Sequence, residues 1–340
     1  MTPKTKYFVS EPYPDTSADG PSSTTSLTLA YFTIGTADLP AVMIPSCFSG
    51  RLRNTFPWLY DSNQDKPAVL AKYFVIVVGM LAGSESSSPS NAHPFMRGPN
   101  FPTVTIEDNV HLQHALCLAL GVHKLAAYIG NSMGGLQAYH MGVMYPDFAE
   151  RLVVLTGAAR ASWHNISFLE GPKAALVNSV DFRDGHYTEP AIRGTRAFGR
   201  AYSTWALSSD WFREKNWMKL GFTSMWEYLE ARWEKSFGTW DAHDLLCMLQ
   251  MWQRADISTH GPVEGDFAQA LASIKARVLV MPSRTDLYFP PADSIEEVSH
   301  LKQGELKVIE TIWGHVAGGG GGSEEDTEFI KSSIAEFLQR

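Results

Sequence analysis

Short, fully apolar runs alternate with amphipathic stretches along most of this chain. Ala41 to Ile44, Tyr73 to Val78, Leu125 to Ile129 and Leu152 to Leu155 are continuous apolar runs of strand length, the pattern of strands buried on both faces. Leu27 to Ile34 instead alternates, is rich in β-branched and aromatic residues and ends at Gly35, which predicts an antiparallel strand. Val110 to Leu120 has helical spacing, with Gly121 placed to close it. Two later strands are predicted at Arg277 to Met281 and Leu306 to Ile309. A terminal helix is predicted from Glu324 to Gln339, capped by Ser323, with Phe329, Ile330, Ile334, Phe337 and Leu338 on its apolar side. Strand and helix in alternation predict an α/β fold with a mostly parallel central sheet flanked by helices.

Two segments break this rhythm. Residues 1–25 are crowded with Pro, Ser, Thr, Asp and Gly beyond residue 11 and predict a flexible arm, with ordered structure from Ser26. Residues 160–262 carry helical patterns with no buried strand and hold eight of the ten tryptophans, which predicts an inserted helical lid. One helix there is marked by the capping-box pattern Ser224-x-x-Glu227 and the stripe Trp226, Leu229, Trp233 and Phe237, and a second begins at Asp241. Aromatic stripes of this kind serve as core packing, as a ceiling over a pocket, or both on different faces. The core is then residues 26–159 and 263–340.

Composition narrows the function. The 340 residues carry a net charge of −8 with no Lys/Arg run able to follow a phosphate backbone, so no nucleic-acid partner is expected. The apolar runs fall well short of the roughly 20 residues that cross a bilayer, and no signal-like segment follows Met1. Three cysteines, Cys47, Cys117 and Cys247, without paired spacing fit a reducing, cytoplasmic setting. No His/Cys/Asp/Glu set has zinc-ligand spacing, so neither a metal nor a bound cofactor is expected.

The chemistry is written most clearly in Gly130-Asn131-Ser132-Met133-Gly134-Gly135, a G-x-S-x-G sequence between a buried strand and a helix. A turn this sharp leaves no room for Cβ atoms at Gly130 and Gly134 and holds Ser132 at a helix N-terminus, where developing negative charge is stabilised. A serine hydroxyl needs a base to become nucleophilic, and the base needs an orienting acid. Asp286, just after the strand ending at Met281, and His315, after the last strand, fall at strand ends in the order Ser, acid, His. Asp293 competes with Asp286 but lies further from its strand and is read as a helix cap. An oxyanion hole needs two donors: Met133 N–H supplies one, and Phe48 N–H, with Cys47 as the alternative, the other. Gly318 to Gly322 has no Lys-Ser/Thr after it, so it is read as a flexible or close-packed loop beside His315 and not as a phosphate loop.

With these residues in place the chain resembles the homoserine O-acetyltransferase branch of the α/β-hydrolases. Phe101-Pro102-Thr103-Val104-Thr105-Ile106-Glu107-Asp108-Asn109-Val110 followed by Gln113 is similar to that family's F-P-x-(V/I)-(T/S)-I-x-D-x-V-x-x-Q segment, and Gly130 to Ala138 to its elbow. The resemblance implies the α/β-hydrolase fold with a helical lid, acyl transfer from acetyl-CoA or another acyl-CoA as co-substrate, and a homodimer through the lid. It places a substrate arginine at Arg200, displaced by one position. Two departures stand out: Ser46-Cys47-Phe48-Ser49-Gly50 replaces His-Ala-Leu-(T/S)-Gly, and Val316 follows His315 where the family has the Asp that helps hold the substrate amino group. The expectation is therefore ester hydrolysis or O-acyl transfer on a small or medium, largely apolar molecule other than homoserine. Lyase or cyclisation chemistry and a non-catalytic receptor are the alternatives.

Overall fold

A computed structural model describes residues 3–11, 13–14, 24–61, 68–259 and 265–340. Its centre is an eight-stranded sheet in the spatial order Lys6–Val9, Thr28–Ile34, Phe74–Val78, Ala41–Pro45, Leu125–Asn131, Arg151–Leu155, Arg277–Met281, Gly304–Leu306. The first two strands run antiparallel to their neighbours and the remaining six are mutually parallel. The short apolar runs are the buried central strands, because helices cover both faces and leave no side on which a polar residue meets water.

Those helices begin where side chains satisfy their orphan N–H groups. Ile106–Ala119 starts with a reciprocal capping box between Thr105 and Asp108, and Glu324–Gln339 with one between Ser323 and Asp326. In the terminal helix Ile330, Ile334, Phe337 and Leu338 are buried, whereas Phe329, expected among them, lies 40% exposed at the edge of the stripe.

The expected arm is partly ordered. Lys6–Val9 is an edge strand registered on Thr28–Tyr31, and Ser10 and Leu27 exchange two further hydrogen bonds. Backbone groups make this pairing while Lys6, Tyr7 and Val9 stay exposed, so no hydrophobic pattern announces it. Residues 15–23 of the expected arm lie outside the described residues, as does the far boundary of the expected lid, within 260–264.

Between Arg151–Leu155 and Arg277–Met281 the chain leaves the sheet and, among the described residues, builds helices only, chiefly Trp163–Val177, Ile192–Ala206 and Ala242–Arg254. Asp241 caps the last of these as expected. At Ser224 the box is half made: the Ser224 hydroxyl accepts from Glu227 N–H, but the Glu227 carboxylate turns to Thr223. A π-helical run, Leu229–Glu234, follows and widens the turn, which shifts the phase of the stripe. Leu229 and Phe237 are buried, while Trp226 is left 64% exposed. Among the described residues no helix is long and apolar enough to cross a membrane.

Candidate active site

Ser132 links the strand Leu125–Asn131 to the helix Met133–Met144 and has φ 56° and ψ −125°, a conformation that an L-residue rarely adopts. A Cβ at Gly130 would run into the Gly134 carbonyl, whereas one at Gly134 would meet Pro45 at 3.4 Å, an ordinary contact, so the expected lack of room holds at Gly130 and not at Gly134. Gly130 therefore permits the turn that leaves Ser132 buried at the positive end of the helix dipole.

Asp286 and His315 are paired with each other. Nδ1 of His315 lies 2.8 Å from Asp286 Oδ2. The other carboxylate oxygen accepts from Tyr288 N–H at 2.7 Å and Phe289 N–H at 3.0 Å. A carboxylate only accepts, so Nδ1 carries the proton and Nε2 of the neutral ring keeps its lone pair. The His315 turn is held by Gly314, whose N–H donates to Thr285 Oγ1 and whose φ of +57° brings it so close to Ala206 and Leu207 that no side chain fits. It packs against the elbow through the glycine tract: a Cβ at Gly318 would overlap Thr156 and reach Asn131 Oδ1 at 2.8 Å. Gly318 is thus close-packed; Gly320 turns with φ +79° against Trp58.

Phe48 closes the other side. Its ring stacks on Tyr202 at 5.2 Å and Phe198 at 6.0 Å and tilts against Trp252 at 6.0 Å. Tyr202 in turn lies 4.8 Å from Tyr288, whose ring meets His315 edge-on at 4.7 Å. Tyr202 from the inserted helices and Tyr288 from the loop after Asp286 thus link Phe48 to His315. Met133 stands at the first position of the helix that follows Ser132, and Phe48 in the loop after Ala41–Pro45, the two places expected to supply the oxyanion donors. Cys47 is partly buried, and desolvation pushes its thiol up to about 11, far from thiolate chemistry.

Asp293 lies in the first turn of Pro291–His300 but does not cap it: the N-cap is Pro290 and no side chain caps this helix, so the cap reading is not met. Val316 packs against the apolar cluster of Trp211 and Tyr228. Arg200 is not brought to the site. The helix Ile192–Ala206 turns Phe198 and Tyr202 toward Phe48, and Arg200 lies on its other side, half exposed and ion-paired with Glu234. Two residues that the sequence reading passed over also touch the site, Asn131 and Thr156; the positive φ of Thr156, 39°, is invisible in the sequence. Among the described residues no cluster of His, Cys, Asp and Glu is arranged to hold a metal.

Comparison with known proteins places this geometry. The profile of the alpha/beta hydrolase fold matches residues 40–318. The chain is 32% identical over 301 residues to an ethyl acetate hydrolase of Pseudomonas veronii, covering 88% of this chain and 85% of that protein. It is 32% identical over 286 residues to a homoserine O-succinyltransferase of Ectopseudomonas mendocina, covering 77% and 75%. A crystal structure of the acetyl esterase MekB superposes with a TM-score of 0.92 at 29% identity, covering 99% of this chain and 97% of that one.

Proposed function

Because the chain belongs to the alpha/beta hydrolase family, whose esterases and acyltransferases share serine-based acyl chemistry with it, we propose that it hydrolyses short-chain esters, acetates above all, of small apolar alcohols. Water is then the acceptor, and no acyl-CoA is required. The relatives named give no support to a lyase or a receptor.

In this reading Ser132 Oγ attacks the ester carbonyl carbon and its proton passes to His315 Nε2. Asp286 holds the ring in the Nδ1–H tautomer and stabilises the imidazolium. The carbonyl oxygen, now negative, accepts from Met133 N–H and Phe48 N–H at the helix N-terminus. Collapse breaks the ester C–O bond, and the leaving alkoxide takes the proton from Nε2. Water repeats the sequence on acyl-Ser132: its proton goes to Nε2, the acid departs, and the proton returns to Ser132.

The observation that carries the ester reading is the apolar surrounding of His315. Tyr288 and Phe289 lie 4.7 and 5.6 Å from its ring, and Val316 follows it into an aromatic cluster. A zwitterionic acceptor there would leave a charge unpaired at a cost of several kcal/mol. The inserted helices act as a lid that carries the pocket's aromatic wall, and their outer face, with Trp163 and Trp226 largely exposed, serves a homodimer. Three free cysteines suit a cytoplasmic setting. Sedimentation as a monomer at micromolar concentration would remove the dimer.

Hydrolysis of p-nitrophenyl esters of increasing acyl length tests the reading, with acetyl-CoA as a second donor. Fastest turnover with acetate and none with acetyl-CoA is expected. Stable acetylation of Ser132 by acetyl-CoA would make the protein a transferase instead.

A further inference from the structure

Thr156 stands one residue past the strand Arg151–Leu155, fully buried, with φ 39°. A β-branched residue takes a left-handed conformation only when its surroundings impose it. Its contacts account for this, since they reach all three loops of the triad. Its N–H donates at 3.0 Å to Met281 O, at the end of the strand that leads to Asp286. Its hydroxyl donates at 2.7 Å to Oδ1 of Asn131, the residue before Ser132. Its Cγ2 lies 2.6 Å from where a Cβ at Gly318 would sit, three residues after His315.

Asn131 belongs to the same junction: its Oδ1 is 2.8 Å from where a Cβ at Gly318 would sit. Glycine at 318 is what lets the His315 turn lie flat on the Thr156–Asn131 pair.

We infer that Asn131 and Thr156 are positioning residues, joined by one hydrogen bond, that set the spacing among Ser132 and the Asp286 and His315 turns; the inference rests on the acyl-enzyme reading above. Neither side chain takes part in a bond-making step. Their effect is on geometry at the reacting atoms, where a shift of about 1 Å costs on the order of 100-fold in rate.

The test compares wild type, Thr156→Val, Thr156→Ser and Asn131→Ala in kcat and KM for p-nitrophenyl acetate and in the rate of Ser132 modification by a fluorophosphonate. Thr156→Val keeps the shape and removes the donor, so kcat and the modification rate should fall about 30- to 100-fold with KM within about threefold. Asn131→Ala should do the same, and Thr156→Ser, which restores the hydroxyl, should recover wild-type rates. Because Asn131 is only part-buried, its alanine variant tests the claim even if Thr156→Val does not fold. Wild-type rates in Asn131→Ala or Thr156→Val, or equal losses in the Val and Ser variants, would overturn the inference alone. A wild-type protein that the fluorophosphonate leaves unmodified would overturn the acyl-enzyme reading beneath it.

Discussion

Asp286 spends one carboxylate oxygen on the N–H groups of Tyr288 and Phe289 and the other on His315 Nδ1. This division fixes what an amide would do in its place. In Asp286→Asn the amide oxygen stays with the two N–H donors, so the NH2 group faces Nδ1 and forces it to become an acceptor. The ring then holds its proton on Nε2 and cannot take one from Ser132. Steady-state kinetics should show kcat reduced about 10³- to 10⁴-fold, as should Ser132→Ala and His315→Ala, with the triple variant little worse than any single one. Asp293→Asn should stay near wild type; the reverse ranking would move the acid to Asp293.

Phe48 has a packing role through its side chain. Its buried ring contacts Phe198, Tyr202, Phe237 and Trp252, so truncation opens a cavity between sheet and inserted helices. Chemical denaturation of Phe48→Ala should show a loss of about 3–5 kcal/mol. A loss under 1 kcal/mol would mean that the ring is not part of a packed wall.

L-Homoserine should be a poor acceptor. Val316 sits where the resembled family has a carboxylate, and Glu324 and Glu325 are exposed in the first turn of the terminal helix, where they serve its dipole. With acetyl-CoA and homoserine, kcat/KM should remain well below the ordinary ~10⁴ M⁻¹s⁻¹. Val316→Asp should raise it; wild-type activity in that ordinary range would contradict the account.

Glu297 is buried on the helix Pro291–His300, and burial pushes its carboxyl up to about 8, although Ala159 N–H donates to it at 2.7 Å. The folded chain therefore holds a proton there that the unfolded chain has lost. Stability from this group is fully present below the ordinary value of 4.5 and is lost as pH rises toward about 8. Glu297→Gln should remove that slope, which is bounded by ~1.4 kcal/mol per pH unit. Denaturation midpoints at several pH values check this: parallel curves for the two proteins would refute the proton on Glu297.

Side-chain chemistry that repeats locally was legible in the sequence. Buried strands, the caps at Ser323 and Asp241, the elbow around Ser132 and the strand-end positions of Asp286 and His315 each follow from a short pattern with a physical cause. Features carried by the backbone were not. Lys6–Val9 pairs through main-chain groups under exposed side chains, and the π-helical turn at Leu229 shifts a stripe whose spacing fits an ordinary helix. Arg200 was drawn toward the site by a motif one position out of register, whereas its partner is Glu234. The junction of Thr156 with Asn131 and Gly318 joins residues remote in sequence, so no window along the chain contains it.

The central claim is that Ser132 is the nucleophile activated by His315, and intact-mass measurement with a fluorophosphonate tests it most directly. One adduct per chain, mapping to Ser132, lost in Ser132→Ala and strongly slowed in His315→Ala, is the expected result. A wild-type protein that stays unmodified, or an adduct that persists in Ser132→Ala, would contradict it.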